Sequence, residues 1–153
     1  MQKIIGLDIG SYSIKAVEIL NHFKSFEISN YFENVIPAID GLTNDQLVPI
    51  CLEQLFQENN ITADRIITAL PGQYSSSRLL SFNFSDRKKV AAGVYSQLEE
   101  SVPFDLEKMI VDHQVLGKSS NKTLALAVLT KKQFLANFLN HLQRVDIDPK
   151  LID

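Results

Sequence analysis

Apolar residues recur along this chain at two periods, and the places where the period changes divide it into elements. Ile4 to Ile9 is too apolar and too β-branched for a surface loop, so it predicts a buried strand that delivers Asp8 at its carboxyl end. Ile14 to Leu20 predicts a returning strand. Ser25 to Ile36 alternates Phe26, Ile28, Asn30, Phe32, Asn34 and Ile36 against Glu27, Ser29, Tyr31, Glu33 and Val35, the pattern of a long, half-buried third strand. Pro37 to Leu42 breaks the alternation. Thr43 with Gln46 forms a capping box ahead of a helix carrying Leu47, Ile50, Cys51, Leu55 and Phe56, which Asn59-Asn60 ends. Arg65 to Leu70 is another short apolar strand, closed sharply by Pro71-Gly72.

Beyond Ser76 the organisation changes. A strand from Arg78 to Phe84 precedes a helix with Val90, Val94, Leu98 and Val102 at helical spacing, stopped by Pro103. Strands follow at Ile110 to Leu116 and Thr123 to Leu129, joined by a polar turn containing Ser119-Ser120-Asn121. Thr130 and Gln133 read as a second capping box, launching a helix with Phe134, Leu135, Phe138, Leu139 and Leu142 that Asp148-Pro149 ends. The order strand-helix-strand-strand-helix predicts a small unit burying both helices on one face of its sheet. Ser75-Ser76-Ser77, with no base beside it, reads as the link between the two halves.

The chain of 153 residues is of single-domain size, with enough apolar content for a real core. Its net charge of −3, with acids and bases interspersed, leaves no electrostatic footprint for nucleic acid. The densest basic group, Arg87-Lys88-Lys89, opens a helix and reads as a solvated face. Cys51 has no partner for an internal disulfide and lies on the apolar side of a helix, a usage that suits a reducing cytoplasm. Neither a leader nor a bilayer-spanning apolar run is evident, so the expectation is a cytoplasmic protein that reaches a membrane only through partners. His22, His113 and His141 are scattered over a loop, a strand and a helix and do not resemble a metal site. Glu99-Glu100 are helix neighbours pointing different ways, hence a solvated face. The alternation of Leu79, Ser81 and Asn83 against Leu80, Phe82 and Phe84 is that of a core strand, and an open sheet edge there could accept another strand.

The turn between the first two strands holds the candidate chemistry. A triphosphate needs backbone N–H groups within reach, a cation near its outer oxygens, and a carboxylate holding magnesium through water. Gly10 permits positive φ and close approach, Ser11 and Ser13 are small donors, Lys15 is the cation and Asp8 the acid. A plain hairpin whose Asp-x-Gly-Ser turn only reverses the chain uses the same residues, and chemistry alone does not separate the two.

Gly6-Leu7-Asp8-Ile9-Gly10-Ser11 followed by Ile14-Lys15-Ala16-Val17-Glu18 resembles the first phosphate-binding motif of the actin/Hsp70-like ATPase superfamily, and within it the PilM family of type IV pilus assembly. That resemblance implies an α/β actin-like (ribonuclease H-like) lobe with an inserted small 1C-type subdomain, as also carried by the division protein FtsA. Leu70-Pro71-Gly72, Ser101-Val102-Pro103-Phe104 and Asp112 to Leu116 read like PilM there. The implied division is residues 1–72 for the first lobe, 73–145 for the insertion and 146–153 for the start of the return. Implied site roles are Asp8 for magnesium-bound water, Gly10, Ser11, Tyr12 and Ser13 for backbone contacts to ATP, and Lys15 for the outer phosphates. Tyr12 stands where relatives usually carry a smaller residue.

The family resemblance further implies a scaffold that binds ATP and magnesium when complete, and recruits the N-terminal tail of PilN, an inner-membrane protein, in a groove between lobe and insertion. The second phosphate motif and the adenosine-binding glycines of such a protein would lie beyond Asp153, so this chain alone is expected to be inactive as an ATPase and weak in nucleotide affinity. An unpaired lobe face would expose apolar surface, so self-association is a further expectation. Alternatives are the cytoplasmic domain of the type II secretion protein GspL, whose first phosphate loop is usually degraded, a filament former like FtsA, and a sugar or acetate kinase, which shares the Asp-x-Gly turn but fits the second half poorly.

Overall fold

The computed structural model describes residues 1–103, 105–119 and 121–153. Phe104, in the helix exit singled out above, and Ser120, in the polar turn, lie outside the described residues. Chain order is β1 (Gln2–Ile9), β2 (Ser13–Asn21), β3 (Phe26–Val35), α1 (Asn44–Glu58), β4 (Arg65–Thr68), β5 (Ser75–Phe82), α2 (Arg87–Ser101), β6 (Met109–Ser119), β7 (Lys122–Lys131), α3 (Lys132–Gln143) and β8 (Leu151–Ile152). Two compact units result, Met1–Pro71 with Asn137–Asp153, and Gly72–Ala136, so the division falls inside α3.

In the first unit a five-stranded sheet runs in the order β3-β2-β1-β4-β8. The first three strands form an antiparallel meander, and β4 and β8 then add in parallel. Parallel addition requires a long return rather than a tight turn, and α1 supplies it between β3 and β4. This is the order of an actin-like lobe. Side chains alternate across the sheet, so Ile5, Leu7 and Ile9 of β1 and Ile14 and Ala16 of β2 form one buried face, packed in a core with Leu47, Leu52 and Leu55 of α1 and Phe138 and Leu142 of α3. Asp8 and Lys15 occupy the opposite face, both exposed.

Local chemistry sets the helix ends. The Thr43 N–H donates to the Gln46 side chain at 2.9 Å, the predicted capping contact. At the other end Asn60 takes a left-handed φ of 51°, and the Ile61 N–H reaches back to the Phe56 carbonyl at 2.9 Å, burying Ile61. The same motif closes α3, with Asp146 at φ 55° and the Ile147 N–H on the Leu142 carbonyl at 3.0 Å. The helix therefore stops at Gln143, before the predicted Asp148-Pro149. Its start differs too: Thr130 is still within β7, and its hydroxyl donates to the Tyr74 carbonyl at 2.8 Å instead of capping α3.

Two burial expectations are corrected. Ile50 of α1 is exposed, because the buried stripe runs through Leu47, Val48, Cys51, Leu52 and Leu55. β3 is an exposed edge rather than a half-buried strand: Phe26, Ile28 and Tyr31 face solvent, while Phe32 packs on the core and the Asn34 amide donates to the Cys51 carbonyl at 2.9 Å.

The second unit is a three-stranded antiparallel sheet, β5-β7-β6. Leu80, Phe82, Ala125, Ala127 and Leu129 form its inner face against Val90, Val94 and Leu98 of α2. Asp86 caps α2 by accepting the Lys89 N–H at 2.9 Å. Helix and strand approach closely at Gly93, where an added Cβ would lie 2.8 Å from the Phe82 ring. Ser75, Ser76 and Ser77 are not a link: they begin β5 and pair with Thr130, Leu129 and Val128. Nor does the whole of α3 pack on this sheet. Phe134 meets the Tyr74 ring at 5.0 Å, but Phe138 and Leu142 belong to the first core, so the second unit ends within α3 and short of residue 145.

Candidate functional site

β1 and β2 pair in an unbroken register from Gln2↔Asn21 to Ile9↔Ile14, which sets Asp8 directly opposite Lys15. Directly opposed residues of an antiparallel pair share a face, with Cβ atoms about 5 Å apart. The acid and the base therefore stand side by side at the carboxyl end of β1. Neither forms an ion pair with any group among the described residues, so both are available to a ligand.

Ser11 and Tyr12 form the tip between them. The Gly10 N–H donates to the Ser13 carbonyl at 3.0 Å, the Asn44 amide to the Ser11 carbonyl at 2.9 Å, and the Ile36 N–H to the Tyr12 carbonyl at 2.8 Å. With three successive carbonyls held, the tip is anchored to the end of β3 and the start of α1. Tyr12 is 70% exposed, so its bulk stands clear of the hairpin.

Roles expected for two residues change. Gly10 is not in the positive-φ region, which Gly41 occupies at 82°; its lack of a side chain matters because a Cβ would lie 3.0 Å from the Ser13 carbonyl oxygen. Its N–H, closed into the hairpin, is not a free donor to phosphate. Ser13 is buried, and its hydroxyl donates to Glu33 Oε1 at 2.7 Å, so that group too is already engaged. The Ser11, Tyr12 and Ser13 N–H groups, the other expected backbone contacts, are not tied into the hydrogen bonds of the turn.

Sequence reasoning missed Glu33 and Asn44. Lys15 stands opposite Glu33 in the β2–β3 register, and the Tyr31 hydroxyl approaches Glu33 Oε2 at 3.4 Å. Finding Glu33 requires the register, and a β-bulge at Glu18/Ile19 shifts that register in a way alternation does not reveal. Glu18 was also missed. Its buried carboxylate accepts from Ser29 Oγ at 2.6 Å and Asn30 Nδ2 at 2.9 Å and pairs with Lys3 Nζ at 2.9 Å. The Ser29 hydrogen bond foremost, then Lys3 and Asn30, hold the Glu18 carboxyl at about 2, well below the usual carboxylate range.

Among the described residues no group of three or more His, Cys, Asp or Glu is arranged to hold a metal, and no helix is long and apolar enough to cross a membrane. A magnesium ion that keeps most of its waters asks only for one or two carboxylates beside the phosphates it serves, and the exposed, unpaired Asp8 fits that demand.

The family model for type IV pilus assembly protein PilM matches residues 6–153. The chain belongs to the PilM family. Among solved structures it is similar to a PilM–PilN type IV pilus biogenesis complex, at 18% identity and a TM-score of 0.81 over 98% of this chain. It is also similar to the cytoplasmic domain of EpsL, an inner-membrane component of the type II secretion system of Vibrio cholerae, at 12% identity and a TM-score of 0.60, again over 98% of this chain. The chain spans 46% and 56% of the lengths of those two structures' chains. A search of curated proteins returns no match.

Proposed function

We propose that this chain is the N-terminal part of a scaffold of type IV pilus assembly, in which the β1–β2 hairpin is one half of a magnesium–nucleotide site. The observation that carries the reading is Asp8 opposite Lys15, both exposed and unpaired among the described residues, beside a tip whose carbonyls are already held. Asp8 would hold magnesium through water, Lys15 would meet the outer phosphate oxygens, and the Ser11 and Tyr12 N–H groups would meet the phosphates at the turn. Bound magnesium would neutralise phosphate charge at the hairpin. Nucleotide then acts as a structural ligand, stabilising the form that binds it by its own binding free energy, rather than as fuel. The partner is the N-terminal tail of a PilN-type inner-membrane protein, which would hold the scaffold at the cytoplasmic face of that membrane. Family membership and likeness to the PilM of a PilM–PilN complex support this partner.

A second reading, a cytoplasmic domain of type II secretion, is favoured by the likeness to EpsL. The intact Asp8 and Lys15 pair favours the pilus reading. Calorimetric titration in magnesium with a PilN-type N-terminal peptide, and separately with ATP, tests the choice. Peptide binding with weak or undetectable heat from ATP is expected; tight ATP binding with no peptide binding would overturn the scaffold reading.

A further inference from the structure

The Asp8–Lys15 pair is part of a longer row. Asp8 opposes Lys15 in one register and Lys15 opposes Glu33 in the next, so an acid, a base and an acid lie in line across β1, β2 and β3 on one exposed face. Two carboxylates against one ammonium leave the row with one net negative charge. Glu33 is not free to swing away, because the buried Ser13 hydroxyl holds Oε1 at 2.7 Å and the Tyr31 hydroxyl approaches Oε2 at 3.4 Å. A fixed negative charge beside the lysine offered to phosphate is a poor choice for binding anions as such. It suits a site that must distinguish how much charge the anion carries.

We propose that Glu33 is a specificity-determining residue that makes the hairpin select the magnesium complex of a nucleoside triphosphate over the free nucleotide. The inference rests on the nucleotide reading given above. Magnesium removes two units of negative charge from a triphosphate, so repulsion by Glu33 falls more heavily on the free anion. With water-like screening over about 10 Å, each unit of ligand charge is worth roughly a factor of two in affinity. Across two units the selectivity supplied by Glu33 is roughly fourfold. Salt weakens it, so the effect is read at low ionic strength.

The test is an NMR titration of the chain with ATP to millimolar concentration, once with magnesium and once with EDTA, following the Ser11 and Tyr12 amides. Glu33→Gln keeps an oxygen to accept the Ser13 hydroxyl, removes the charge, and gives up only the longer contact from the exposed Tyr31 hydroxyl. Glu27→Gln makes the same change in net charge at an exposed position on the same strand, opposite Leu20. Wild type should prefer the magnesium complex, Glu33→Gln should lose roughly fourfold of that preference by gaining affinity for free ATP, and Glu27→Gln should keep it. An unchanged preference in Glu33→Gln, or an equal change in Glu27→Gln, overturns the inference and leaves the nucleotide reading standing. Absence of ATP shifts at the hairpin in all three proteins overturns both.

Discussion

At the scale of single residues, Glu18 supplies the clearest pH dependence. Its folded carboxyl lies at about 2, below the unfolded range, so its ion pair with Lys3 and its bonds to Ser29 and Asn30 stabilise the fold above the unfolded pKa. That contribution is lost as pH falls from about 5 toward the folded value. Urea unfolding across this window should show wild type losing stability more steeply than Glu18→Gln; parallel curves would contradict the assignment. Glycines give a second comparison. Gly10→Ala presses a Cβ against the Ser13 backbone and should cost about 1–2 kcal/mol, whereas Gly72→Ala meets nothing within 4 Å and should be neutral or stabilising by up to about 1 kcal/mol. Equal effects would mean that the hairpin has room to give. Asp8 itself was legible from the sequence because it follows an apolar run. Glu18 was not, since a carboxylate on the buried face contradicts the pattern and is explained only by three partners from neighbouring strands.

At the scale of elements, turn chemistry was legible where one residue decides and illegible where tertiary contacts compete. The Thr43–Gln46 cap is local and forms as its spacing predicts; the Thr130–Gln133 spacing predicts a cap that does not form, because strand β7 continues past Thr130 and the Tyr74 carbonyl takes its hydroxyl. The single apolar stripe of α3 predicts packing of the whole helix on the small sheet, yet Phe134 meets Tyr74 while Phe138, one turn on, lies in the other core. The two left-handed helix ends carry a prediction. Asn60→Gly and Asp146→Gly each remove a Cβ from positive φ and should raise unfolding free energy by roughly 0.5–1 kcal/mol, measured by denaturant titration. A loss in either variant would show that the side chain, not the backbone, stabilises that end.

For the whole molecule, five strands in actin-like order place an acid and a lysine side by side on a face that the core leaves open. The sheet order was legible through resemblance more than through periodicity, because parallel pairing of β4 and β8 joins segments that lie far apart in the chain. Family membership names the assembly, and the hairpin names the chemistry to be tested. The most direct measurement is the NMR titration of this chain with magnesium and ATP, repeated on Asp8→Ala. Asp8 is exposed and unpaired among the described residues, so the substitution should leave stability within about 0.5 kcal/mol. The account predicts shifts concentrated at Ser11, Tyr12 and Lys15 in wild type and their loss in a fully folded Asp8→Ala. Shifts that survive the substitution, or that fall outside the hairpin, would contradict it.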